Sequence, residues 1–279
     1  MVERHGYRIW PSPWSRRRTL RGVRLDRALL ADLRTALRSG PIVAFLLLEL
    51  GAGAVFVWRR GPDTISTVVL IWLGMSVVAF LAWWAGRHRL AHPRPDPVPA
   101  ARARTAFALI GVAGMLIWSA SANAAGVVLV ACGIGGWLWA AWRSGGLNGV
   151  GERLTRSPRP FVPLLLFIAL PRLVVGGPAY LGGAILALPS GIGQQLLYLV
   201  GLYGPLEAVG RRSAAAVVSA LIFGLLHVPF VLEANDGDVV AAFANAVLFQ
   251  ASVGIVACLA YQRHRAVLPI GVAHALAIG

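Results

Sequence analysis

Within long apolar stretches a polar side chain is costly, so each one marks a candidate site. This 279-residue chain has few of them: Glu49, Arg172, Gln194, Gln195, His227, Asn245, Gln250 and His274, with Glu207 and Glu233 where apolar stretches end. Imidazoles can move protons or ligate a transition metal. Carboxamides donate and accept hydrogen bonds but do not titrate near neutral pH. In Phe223-Gly-Leu-Leu-His227 the aromatic ring and the imidazole fall one helical turn apart on one face. His274 closes the apolar stretch Ile270-Gly-Val-Ala-His274. Taken singly, either histidine also reads as an interhelical hydrogen-bonder. Glu49, in Leu47-Leu-Glu-Leu50, is the only carboxylate well inside an apolar stretch. It is stored most cheaply as a neutral acid or beside a cation such as Arg172.

The composition says what must position these groups. Hydrophobic residues make up 57% of the chain and charged ones 13%, far from the balance of a water-soluble domain. That excludes a soluble enzyme. The net charge is +15, and all 26 basic residues are arginine, a bias read as a GC-rich bacterial coding signature. The arginines lie in short connections between apolar blocks, where they set membrane topology, so a nucleic-acid partner is excluded too. Cys132 and Cys258 lie in apolar blocks, without the number or spacing of a disulfide framework or zinc knuckle.

Residues 1–40 form a basic cytoplasmic tail in which Leu25, Leu29, Leu33 and Leu37 recur every four positions. That pattern fits a helix in the headgroup layer, and equally a short solvated one. Apolar blocks follow at 41–58, 64–86, 105–122, 124–142, 161–188, 192–207, 213–232, 239–262 and 266–279. The fold class is therefore all-α, a polytopic transmembrane bundle of about nine spans. It divides into four accessory spans over 41–142, a cytoplasmic linker over 143–160 and a C-terminal transmembrane domain over 161–279. The run from Pro93 to Pro99 is an extended connector. The 161–188 block is too long for one straight span and contains Pro171 and Gly176-Gly-Pro178, so it must kink or break. Alternation of arginine-rich and arginine-free connections places the N-terminus in the cytoplasm of a bacterial plasma membrane. Arg59 and Arg60 are the exception. Glycine patterns such as Gly51-Ala-Gly53 and Gly133-Ile-Gly-Gly136 predict close helix packing.

This topology brings four of the polar side chains to one level. At about 1.5 Å per helical residue, Gln194, Gln195, His227 and His274 all fall in the outer half of the bilayer. Two imidazoles and two amides on three helices would form one pocket, buried in protein as an intramembrane site must be.

The segments around these residues resemble the CPBP family, which includes type II CAAX prenyl endopeptidases and bacteriocin-processing or immunity proteins. The family motifs are E-E-x-x-x-R, F-x-x-x-H and H-x-x-x-N. Phe223 and His227 match the second in full, within Ser219-Ala-Leu-Ile-Phe-Gly-Leu-Leu-His-Val-Pro229. His274 matches the third, with Ile278 where asparagine is expected. In the first, Gln194 and Gln195 stand in the two glutamate positions and Leu199 in that of arginine. A competing alignment, Leu206-Glu-Ala-Val-Gly-Arg211, restores Glu207 and the arginine but puts the acid at the cytoplasmic edge.

The resemblance implies an intramembrane endopeptidase in which the first glutamate activates water, the histidines hold that water or a divalent metal such as zinc, and the asparagine steadies the oxyanion. Gln194 cannot replace a carboxylate as general base. Glu49, Glu207 and Glu233 are the alternative acids. His227 and His274 remain as metal ligands, a weak set without carboxylates. Two readings therefore stand: a CPBP endopeptidase acting on a membrane-associated peptide or protein, with an impaired site, and a catalytically silent member acting by binding, immunity or regulation. A small transporter or channel lacks the support of an inverted repeat.

Overall fold

A computed structural model describes residues 21–85, 98–121, 124–144 and 159–278, and every element among them is helical. The first half holds α1 (Arg21–Leu37), α2 (Gly40–Arg60), α3 (Ile65–Ala85), α4 (Val98–Ser121) and α5 (Ala124–Arg143). In the second half α6 (Val162–Gln195) passes through a wider π-helical stretch, Leu196–Tyr203, into α7 (Gly204–Val209). Then come α8 (Arg212–Leu225), α9 (Val228–Ala234) and α10 (Val239–Asn245). A second π-helical stretch, Ala246–Ala251, leads into α11 (Ser252–His264), and α12 (Leu268–Ile278) closes the chain. Residues 1–20, the connector from Pro93 to Pro97 and most of the 143–160 linker lie outside the described residues; Val98 and Pro99 already open α4.

Among the described residues six helical runs are long and apolar enough to cross a bilayer, or seven if α8 and α9, bent by 48°, form one span. The nine apolar blocks thus do not become nine such helices. Blocks 161–188 and 192–207 join into one helical run over 159–209, and the last block is an 11-residue helix. Pro189, Gly191 and Gly193 read as a loop, yet the helix continues through them. A loop there would expose unpaired amides and carbonyls to hydrocarbon, whereas a proline inside a helix frees only one carbonyl. The break expected within the 161–188 block lies at Gly177, whose φ of 59° and ψ of −150° are open to glycine and closed to most side chains.

Close packing is carried by glycine where two helices touch. In the α4–α5 hairpin a Cβ on Gly133 would stand 2.5 Å from the Gly111 nitrogen, and one on Gly114 would stand 2.7 Å from the Gly126 oxygen. Gly53 faces Trp72, while Gly51 and Gly135 meet nothing and have no such role. The main core gathers Phe45, Leu199, Tyr203, Phe223 and Tyr261, from α2, the first π-helical stretch, α8 and α11.

The two ends of the bundle carry different charge patterns. Arg59 donates to Asp238 at 2.8 Å and Arg60 to Asp236 at 2.6 Å, so the two exceptional arginines are neutralised by the loop before α10. Asp238 also caps α10 by accepting from the Ala241 N–H at 3.0 Å. At the opposite end Asp32 of α1 accepts from the Trp83 indole at 2.8 Å and pairs with Arg263. This clamp leaves Leu33 and Leu37 exposed on α1, 51% and 54%, facing away from the bundle.

Candidate functional site

α6 and α12 run antiparallel in contact: Tyr180 donates to the Leu276 carbonyl at 2.8 Å, and Gly271 lies against Ile192. A Cβ on Gly191 would stand 2.7 Å from the Ala275 nitrogen and 2.8 Å from the Gly271 oxygen, so backbone meets backbone. One turn after Gly191 comes Gln195, and one turn after Gly271 comes His274. The approach lets the Gln195 Nε2 donate to His274 Nδ1 at 2.6 Å, both side chains being buried.

α8 brings the second histidine. Pro229 supplies no N–H, so the helix stops at Leu225 and the chain bends before α9. At this break the His227 N–H bonds the Gly224 carbonyl at 2.9 Å, one residue short of the α-helical partner. The Phe223 carbonyl is thereby freed and accepts from His227 Nδ1 at 2.6 Å. The Phe223 ring lies between the imidazoles, 4.6 Å from the His227 centroid and 5.7 Å from that of His274. Tyr198 closes the other side at 4.7 Å, its hydroxyl donating to the Gly254 carbonyl at 3.0 Å.

The structure therefore brings together Gln195, Phe223, His227 and His274. Gln194 turns away: its amide donates to Ser190 on its own helix at 2.9 Å. The second of the two glutamine positions, and not the first, reaches a histidine. Leu199 is fully buried in the apolar core, and Ile278 is 51% exposed one turn beyond His274. Asn245, just before the second π-helical stretch, and Gln250, within it, are half-buried.

Two of the three alternative acids are engaged elsewhere. Glu207 lies three turns beyond Gln195 on the same helical run, roughly 18 Å along the axis, and accepts both guanidinium arms of Arg265 at 2.5 and 2.7 Å. Glu49 is buried against Ser252 of α11; its partner is this hydroxyl, not Arg172, which is exposed. Ser252 also reaches the Leu248 carbonyl at 2.7 Å. Glu233 is exposed at the end of α9. Ser252 had no signal in the sequence, but Gly191 and Gly271 belong to the small-residue pattern that marks close helix packing.

Hydrogen-bond accounting fixes what the imidazoles offer. A carbonyl only accepts, so His227 Nδ1 bears its proton and Nε2 keeps a lone pair. His274 Nδ1 accepts from an amide N–H, so its proton sits on Nε2. The site thus offers one basic nitrogen and one N–H donor. It also holds an unpaired acceptor, the buried Gln195 Oε1. This donor set does not fit a divalent metal: zinc takes three or four ligands from His, Cys and carboxylate, and only one imidazole presents a lone pair. No group of three such side chains occurs among the described residues.

Residues 176–277 match the family model described as type II CAAX prenyl endopeptidase Rce1-like, a stretch that opens at the Gly177 break and contains all four converging residues. No curated protein and no solved structure matches the chain. The family match supports a CPBP domain of the CAAX-protease kind over residues 176–277 of this membrane chain.

Proposed function

We propose that the protein hydrolyses peptide bonds of membrane-anchored peptides or proteins at a site formed by Gln195, Phe223, His227 and His274. The observation that carries this reading is the hydrogen bond between Gln195 and His274, which joins two motif segments 79 residues apart beside the ring that packs on His227. The His227 Nε2 lone pair takes a proton from water as its oxygen bonds to the scissile carbonyl carbon. The His274 Nε2–H donates to the carbonyl oxygen as charge gathers there. When the C–N bond breaks, the proton held by His227 passes to the leaving nitrogen. In this reading residues 161–279 are the catalytic domain of a bacterial plasma-membrane protein with its N-terminus in the cytoplasm, and residues 41–142 are accessory spans.

A second reading, a silent member that binds a membrane peptide or protein, is favoured by one feature: an amide stands where a carboxylate base is expected. The two separate in one experiment. Purified protein in lipid nanodiscs is compared with His227→Ala on a panel of membrane-anchored peptides. The hydrolase reading expects cleavage that falls by about 10²–10⁴ in the variant, the share of a general base. No cleavage by the wild type, with activity appearing in Gln194→Glu, Gln195→Glu, Leu199→Arg, would favour the silent reading.

A further inference from the structure

Glu207 lies outside the histidine site, yet it touches both segments that deliver the histidines. Its Oε2 accepts from Arg265 Nη1 at 2.5 Å and its Oε1 from Arg265 Nη2 at 2.7 Å, a two-armed pair with both side chains about 90% shielded. The same Oε1 lies 3.3 Å from the Nε of Arg212. Arg212 is the first residue of α8, which leads to Phe223 and His227. Arg265 caps α11 and stands three positions before α12, which carries His274. Glu207 itself lies near the end of the helical run that carries Gln195.

Arg265 is in the left-handed conformation, φ 54° and ψ 26°, which a non-glycine residue adopts at a cost. Its N–H bonds the Tyr261 carbonyl at 2.8 Å, closing α11, and its guanidinium lies 5.2 Å from the Tyr261 ring. Glycine would satisfy this turn without strain but could not reach Glu207. The arginine thus fixes the corner between α11 and α12 and ties it to α7 at once.

We infer that Glu207 is a positioning residue, the common anchor from which α8 through Arg212 and α12 through Arg265 set out, and that it thereby holds His227 and His274 in place relative to Gln195. Its charge is consumed in this anchoring and is not the acid of the site. The inference rests on the proposed site but not on turnover.

The test reads the imidazoles directly. The full chain, labelled with ¹⁵N-histidine and held in nanodiscs, is examined by ring-nitrogen NMR, with His227→Gln and His274→Gln assigning the signals. Wild type should show a non-protonated, hydrogen-bonded Nδ1 for His274. In Glu207→Gln that signature should be lost or split while helicity is kept, and Glu207→Asp should retain it. Arg212→Gln, at a side chain 67% exposed, should shift the His227 signals and spare His274; it decides the matter if Glu207→Gln does not fold. Unchanged ring signals in Glu207→Gln or Arg212→Gln, with only a lower melting temperature, would overturn the inference and leave the site standing. A wild type without the His274 signature would instead remove the site, and the anchor with it.

Discussion

Gly191 and Gly271 let two helices touch where no other residue pair would, since a methyl group on Gly191 would stand 2.8 Å from the Gly271 carbonyl oxygen. The Gln195–His274 hydrogen bond depends on that approach. Gly191→Ala should force α6 and α12 apart and destabilise the protein by about 1–3 kcal/mol, the usual cost of overpacking. It should also lower any cleavage activity more than Gly193→Ala, whose Cβ would meet nothing. Thermal melts in nanodiscs alongside the peptide assay check both, and equal behaviour of the two variants would contradict the argument.

Gln195→Glu places a carboxylate where an amide now donates to His274. The imidazole must then take up a proton on Nδ1 to meet the new acceptor while keeping the one on Nε2, and the site gains a carboxylate base beside the His227 nitrogen. Cleavage of a membrane-anchored peptide should rise by about 10-fold or more, toward the range that a positioned base contributes. Gln194→Glu alone should do less, because Gln194 bonds Ser190 on its own helix. A larger gain from Gln194→Glu would reverse the assignment of the two positions.

Arg265→Gly relieves a left-handed backbone but strips Glu207 of its two-armed partner. The second effect should win: a left-handed non-glycine residue costs about 1–2 kcal/mol, whereas removing one member of a buried pair costs about 3–5 kcal/mol. Denaturation of the purified variant should therefore show lower stability. A stabilised Arg265→Gly would mean that Glu207 is readily solvated without its partner.

At the far end of the bundle, the Ala241 N–H and then Arg59 hold the Asp238 carboxyl below the usual carboxylate range. A depressed folded-state value means a contribution to stability that is present above the unfolded value near 4 and is lost as pH falls through the folded one. Acidification below about pH 4 should loosen this loop, and Asp238→Asn should be less sensitive than the wild type across that window. Hydrogen exchange at residues 235–241 measured against pH tests it.

Leu33 and Leu37 face away from the bundle on a helix pinned by Asp32 to Trp83 and Arg263. Spin labels at these two positions in nanodiscs should be reached more readily by oxygen than by a water-soluble nickel complex, as at a bilayer interface. The reverse order would mean that α1 stands in water.

Much of this molecule was legible in its sequence. Apolar blocks with almost no charge inside specified helices because a backbone in lipid must satisfy its own hydrogen bonds. The rarity of polar residues in those blocks put Gln195, His227 and His274 on a short list with Glu49, Arg172, Gln194, Asn245 and Gln250, and the Phe223 to His227 spacing alone predicted a ring against an imidazole. These are local demands, written in spacing and side-chain type. The tertiary structure alone decided that Gln195 and not Gln194 faces His274, that Glu49 meets Ser252, that Glu207 ties two arginines, and that Arg59 and Arg60 meet Asp236 and Asp238. It also decided that the helix runs on through Pro189. Each of these depends on which side chains from distant segments arrive at one place, and arrival is set by how closely helices pack. That closeness comes from the fit of whole surfaces, such as Gly191 against Gly271, which no single helix contains.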